Sequence, residues 1–372
     1  MNTMLRFYRS HSAQQLLTEM QSLGLRLDGQ TAEQPGRGGS GSPSGQTAVT
    51  IDGKTIMVPM HTDSALESPF FASPPNEQGV SDLRRNGLVV AQISFPPHPR
   101  FYGLQTLDGV PYWKIAELHG ADVLVSTVLQ NCVRCANRKT ACQFCAIGDP
   151  LAEGRTIEHK TPHQLAEVAR AAVLLDGVKH MVMTTGTPNF TDRGAKILCD
   201  SAFAVKTAVD LPIQVQCEPP DDNAWFARLQ DVGVDSMAMR LDAVTSEVRA
   251  RIIPGKAVLS VAHYLEAFEL AVRVFGRGQV STCILAGLGD SADAILRVCE
   301  ELIDIGVYPF VVPFVPLSGT PLASHPAPTP ELMQSILGPL GIMLANRGLR
   351  SRDIKAGCGR CGACSTLSTY EA

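Results

Sequence analysis

The stretch "DVLVSTVLQNCVRCANRKTACQFCAIGD", residues 122–149, runs from an apolar segment into Cys132, Cys135, Cys142 and Cys145, all within fourteen residues. Its opening, residues 122–128, is a short apolar run of the kind that forms a buried strand. Five more such runs follow, at 179–184, 212–217, 235–241, 280–285 and 308–314. Between them lie helical patterns near 162–175, 191–208, 222–232, 245–252 with 259–275, and 290–305. Strands alternating with helices predict right-handed crossovers and a parallel sheet. Six units fit a partial (β/α)6 relative of the TIM barrel, with a doubly wound open sheet as the alternative. In either fold the chemistry belongs at the carboxyl ends of the strands, which is where the cysteine loop begins.

Upstream, residues 11–24 carry a short helical pattern, and residues 33–47 are rich in Gly, Ser and Pro and read as a flexible linker. "AVTIDGKTIMVP", residues 48–59, reads as two strands about Asp52-Gly53. Residues 59–120 are proline-rich and read as irregular. The expected organisation is an irregular N-terminal extension (1–120), an α/β partial barrel (121–325), and a C-terminal helix with a Cys-rich tail (326–372).

The chain has 372 residues, enough for a large core, and a formal net charge of −4. That charge gives no basic field, so no nucleic-acid partner is expected. No run of eighteen apolar residues suggests a membrane span, and the N-terminus lacks the apolar core of a secretory signal, so a cytoplasmic location is expected. Of eleven cysteines, seven fall in two tight groups, which in a reducing compartment points to metal rather than disulfides. Cys199, Cys217, Cys283 and Cys299 lie in apolar runs and read as small buried hydrophobes.

Two Cys-x2-Cys pairs suggest zinc first, but here six residues separate them, whereas four-cysteine zinc modules carry an insert of about 15–20. Soft thiolates suit an iron–sulfur cluster equally well. "CQFC", with Phe144 directly before Cys145 and following a first barrel strand, resembles the cluster loop of radical S-adenosylmethionine (SAM) enzymes. Their common form is Cys-x3-Cys-x2-Cys, and this chain departs from it in the first interval, so either Cys132 or Cys135 serves as first ligand; the strand-proximal Cys132 is preferred.

That resemblance implies a partial barrel of the radical SAM type and a 4Fe–4S cluster held by three loop thiolates. It implies SAM gripped through its amino and carboxylate groups, and a one-electron cleavage to a 5′-deoxyadenosyl radical that takes hydrogen from a small-molecule substrate. It places SAM contacts at Thr185 and Gly186 in "TTGTPN", Glu218 in "QCEPPDD", Arg240 in "MRLDA", and Gly287 in "ILAGLGD", with "PFVPLSGTPLA" (313–323) ending the sixth strand. Read without it, Glu218 and Arg240 are equally a structural ion pair. Ferredoxin or flavodoxin is the implied electron donor. The N-terminal segment and the tail are the implied lids over the barrel mouth.

The tail "AGCGRCGACSTL" holds Cys358, Cys361 and Cys364, spaced like bacterial ferredoxin ligands. It suggests an auxiliary 4Fe–4S cluster, or otherwise a zinc knuckle or a disordered redox tail. Together with the loop, it resembles the radical SAM proteins encoded beside a nitrilase in bacterial gene clusters, which implies a small nitrogen-containing substrate. An iron–sulfur electron carrier or a zinc-binding structural module without SAM chemistry is the alternative. The histidines, His119, His163 and His180 among them, show no ligand spacing and read as surface or core residues.

Overall fold

In a computed structural model, residues 13–27 and 45–371 are described. Most of the expected linker, residues 33–44, lies outside them.

The first layer begins with helix α1 (Ala13–Leu23) and a two-residue strand, β1 (Arg26–Leu27). The strands β2 (Gln46–Ile51) and β3 (Lys54–Pro59) pair antiparallel about Asp52 (φ 48°) and Gly53 (φ 75°). Two successive positive φ values give the turn whose twist suits a hairpin. Strands β4 (Phe70–Ala72), β5 (Val80–Arg85) and β6 (Leu88–Ser94) complete a six-stranded sheet in the order β1-β4-β5-β6-β2-β3. Met20, Val49, Ile56, Phe70 and Leu83 are almost wholly buried beneath it. At about 1.5–3 kcal/mol each, they give this layer its own core. Residues 59–120 are therefore not the irregular extension expected. The missed signal is Asn86-Gly87 (φ 49° and 84°), a second two-residue hairpin turn between β5 and β6.

The second sheet has seven strands: β7 (Glu117–His119), β8 (Val123–Thr127), β9 (His180–Thr184), β10 (Ile213–Gln216), β11 (Ser236–Ala238), β12 (Val280–Ala286) and β13 (Val307–Pro313). They lie side by side in sequence order; β7 is antiparallel to β8 and the others run parallel. All six predicted parallel strands are present. Helices connect them: a short α2 (Asp149–Ala152), then α3 (Pro162–Asp176), α4 (Ala195–Ala208), α5 (Ala224–Asp231), α6 (Ser246–Ile252), α7 (Val261–Phe275) and α8 (Ala292–Ile305). The start of α3 is fixed by a capping box of Thr161 and Gln164, and its end by Gly177 in the left-handed region (φ 66°). Ser260 and Ser291 cap α7 and α8, each contributing about 1 kcal/mol.

Side chains two residues apart on a strand share a face. Val125 and Thr127 of β8, Val182 and Thr184 of β9, and Phe310 and Val312 of β13 line one common cavity. The sheet is thus curled into a half-barrel.

After α9 (Pro330–Asn346) the chain turns under the barrel, and Cys358–Cys361 forms one helical turn, α10. The tail was expected as a lid over the mouth. It instead enters at the amino ends of the strands. The Gly357 N–H donates to Nδ1 of His180, the first residue of β9 (3.2 Å), and Tyr308 at the start of β13 donates to Glu371 (2.5 Å). Gly357 has φ 115° and lies so close to the Gln214 side chain that a Cβ would collide with it. The first layer holds the tail from below: the Ala363 carbonyl accepts from the Met57 N–H and from Nε2 of Gln21, both at 2.8 Å. The tail and the N-terminal sheet therefore close the base of the half-barrel, leaving the carboxyl-end mouth to the cysteine loop.

Candidate active site

The cysteine loop leaves β8 and crosses the carboxyl ends of the neighbouring strands. Its backbone is tied there by Gly186 N–H to the Leu129 carbonyl (2.9 Å) and Val133 N–H to the Thr187 carbonyl (2.9 Å). Gly186 is required by close approach, because a Cβ on it would collide with the Asn131 carbonyl oxygen. Gly186→Ala is accordingly expected to push the loop off β9 and lower bound iron well below the parent's, as an iron assay after anaerobic reconstitution would show. Unchanged iron would mean the loop tolerates the shift.

Arg134, inside the loop, is the residue that sequence reading missed. Its guanidinium forms a two-pronged pair with Glu218 at the end of β10 (Nε–Oε1 2.8 Å, Nη2–Oε2 2.5 Å), with both side chains 5% exposed. Its remaining nitrogen donates to the Gly255 carbonyl, and the Thr187 hydroxyl donates to Glu218 Oε1 (2.6 Å). Burial alone would push the Glu218 carboxyl up, but Arg134, Lys256 and Thr187 outweigh it and hold it below its ordinary value. Glu218 thus lines the cavity with both oxygens engaged, anchoring the loop.

The four loop thiols differ. Cys135 is exposed, and the other three are half-buried. The Cys135 thiol lies between Cys132 and Cys145. Its hydrogen bonds lower the Cys132 and Cys145 thiols below their ordinary value, and its own acidity is suppressed. Burial pushes Cys142 up to about 12, against the pull of Lys256. Among the described residues, no three His, Cys, Asp or Glu side chains converge tightly enough to hold a single metal ion. A four-iron cube asks less of them, since each thiolate binds a different iron.

Below the loop is a cavity of about 400 Å³, within the usual range for small-molecule sites. Phe144, Thr185, Gly186, Glu218 and Arg240 all line it. Arg240 and Glu218 do not pair with each other. Arg240 Nε donates instead to Asp242 Oδ1 (3.0 Å), and Lys256 Nζ to Asp242 Oδ2 (2.7 Å). The Arg240 side chain remains 39% exposed at the cavity wall. Gly287 is not brought into this wall: it packs against Pro328, and its carbonyl meets His325 (2.8 Å).

Residues 132–302 match the family model of the radical SAM superfamily. The chain carries a radical SAM superfamily domain. Among curated proteins it is similar to bacteriochlorophyllide c C-7(1)-hydroxylase of Chlorobaculum limnaeum, at 31% identity over 124 residues. That match covers 33% of this chain and 31% of the relative, so the chain spans about a third of the relative it matches. Among solved structures it is similar to methylornithine synthase (PylB), with 17% identity, TM-score 0.47, and coverage of 66% of this chain and 68% of that one. It is also similar to coproporphyrinogen III oxidase (HemN) from Escherichia coli, with 15% identity, TM-score 0.40, and coverage of 61% and 52%.

The radical SAM domain starts at Cys132 and includes Glu218, Arg240 and Gly287, but stops short of the tail. Cys358, Cys361 and Cys364 nevertheless line the same cavity from its opposite end. Cys358 Sγ accepts from Nε2 of Gln216 (3.2 Å), and Nε2 of His119 is 3.2 Å from Cys364 Sγ. His119 and His180, expected as bland residues, both touch the tail. Cys361 is pushed up to about 12 by burial, and Cys364 is raised further by burial and its neighbouring thiols. Such buried thiols give up their protons when a metal takes their place.

Proposed function

We propose that this chain cleaves SAM reductively at a 4Fe–4S cluster held by Cys132, Cys142 and Cys145, and acts through the resulting 5′-deoxyadenosyl radical on a small nitrogen-containing molecule inside a (β/α)6 barrel. The observation that carries this reading is a mouth loop of four soft donors above a cavity that Arg240 also lines. Cys135 is left as the spare thiol because it alone of the four is exposed. When bound, the cluster supplies the electron that splits the sulfonium bond.

The chain's own residues bind, orient and shield. Arg134 and Glu218 hold the loop at one height over the cavity. Arg240, oriented by Asp242, offers a planar pair of donors suited to the SAM carboxylate. Thr185 and Gly186 border the position for its amino group, and Phe144 packs beside the loop thiols. The tail and the first layer seal the base against water. The nitrogenous character of the substrate rests on the resemblance to nitrilase-adjacent radical SAM proteins. The electron donor in this reading is ferredoxin or flavodoxin, in the cytoplasm. The tail thiols hold an auxiliary 4Fe–4S cluster, supported by their spacing and their common wall of the cavity.

The test is anaerobic reconstitution, reduction and addition of SAM. Accumulation of 5′-deoxyadenosine is expected, and none above background with the loop cluster intact overturns the reading. Arg240→Ala is expected to raise the apparent SAM dissociation constant about 10- to 100-fold, the loss of about 1.5–3 kcal/mol typical of a hydrogen bond to a charged group. Titration of the loop cluster's EPR signal with SAM measures it.

A further inference from the structure

Three tail thiols leave one corner of a four-iron cube unaccounted for, and the barrel wall offers a thiol at the right height. Cys283 sits in the middle of β12. Residues on either side of it on the same face are Ser281 and Leu285. Leu285 and Cys283 line the cavity, and Ser281 Oγ accepts from Nε2 of Gln214 (3.1 Å). The same Gln214 accepts the Cys358 N–H through Oε1 (3.3 Å). Ser281 therefore marks the level at which the tail backbone meets the wall, and Cys283 lies one pleat further in. Cys358 Sγ is held at the corresponding step on β10, where Gln216 follows Gln214. Cys283 and Arg240 line the same cavity as Cys358, Cys361 and Cys364. A cube with four thiolates carries net negative charge, and the Arg240 guanidinium is placed to offset it. The short tail can wrap one side of a cluster, aided by the turn at Gly362 (φ 66°), but the other side faces β12. His119 Nε2 lies 3.2 Å from Cys364 Sγ, within hydrogen-bonding distance of that sulfur.

Resting on the auxiliary-cluster reading above, we propose that Cys283 is the fourth thiolate of the tail cluster, so that Cys283, Cys358, Cys361 and Cys364 occupy all four irons. A cluster closed in this way offers no open iron to substrate and serves to carry electrons.

The test uses the full chain with Cys142→Ala and Cys145→Ala, which removes the loop cluster. Anaerobically reconstituted, this background is expected to hold about four irons and an EPR signal that added cyanide does not shift. Adding Cys283→Ala is expected either to lose iron or to give a cluster that oxidises to a three-iron signal and responds to cyanide. Cys283→Ser, closest in shape, is expected to alter the EPR signal while circular dichroism stays that of the parent. A background that holds no iron overturns the auxiliary-cluster reading itself. A background with iron whose signal cyanide shifts overturns the closed cluster, as does a Cys283→Ala protein with unchanged iron and signal; both leave a tail cluster standing.

Discussion

Cys145→Ala, like Cys142→Ala, is expected to reduce 5′-deoxyadenosine formation to the level seen without enzyme. Three thiolates are the fewest that hold a four-iron cube at this loop and still leave an iron open. Each of these side chains is half-buried and lines the cavity, with Cys142 also packing against the edge of the barrel core, so losing one sulfur is expected to leave the fold intact. The paired comparison is Cys135→Ala, whose thiol is exposed and lies between Cys132 and Cys145. It is expected to keep most of its iron and its SAM cleavage. Cys132→Ala is expected to lose both. The measurement is iron content beside product formation for the four single variants. If Cys132→Ala keeps full activity while Cys135→Ala loses it, the first ligand is Cys135.

The second large effect is on stability. Arg134→Ala strands a buried Glu218 carboxylate, and removing one partner of a buried pair costs about 3–5 kcal/mol. Urea denaturation at neutral pH should read this as a lower midpoint. Replacing both residues, as Arg134→Met with Glu218→Gln, is expected to recover a good part of it, because no charge is then left buried alone. The pH dependence has a definite sign. The folded-state acidity of Glu218 lies below its ordinary value of 4.5. Its contribution is therefore complete above that value and is lost as pH falls through the depressed one. Relative to Glu218→Gln, the parent should lose more stability on the acid side of pH 4.5. Parallel stability curves for the two would mean that the carboxylate is not held by Arg134.

Much of the barrel was legible because parallel strands buried on both faces write themselves as continuous apolar runs. β13, "VYPFVVP", is buried at every position. The first layer was harder. Its strands are short, β5 carries Asp82, Arg84 and Arg85, and half of β6 is exposed, so the apolar signal was thin. Asn86-Gly87 was the available sign. In the site, the cysteines, Arg240 and Glu218 announced themselves by type and by their place at strand ends. Their partners did not. Arg134 meets Glu218 across 84 positions and Lys256 meets Asp242 across 14, and no periodicity encodes such contacts. Cys283 reads as one more apolar residue of a strand, because alternation shows that it faces inward but not what waits there. Gly287 fits the pattern of a strand-end turn, yet Pro328 occupies the space beside it.

The clasp of Ala363 by Met57 and Gln21 has a consequence for biosynthesis. The ribosome makes Gln21 and Met57 early and Ala363 some 300 residues later. At about 5–20 residues per second, that is a wait on the order of 15–60 s. Throughout it, the underside of the nascent barrel stands open. The base of the half-barrel thus closes only after every one of its strands has been made, when the tail threads beneath them.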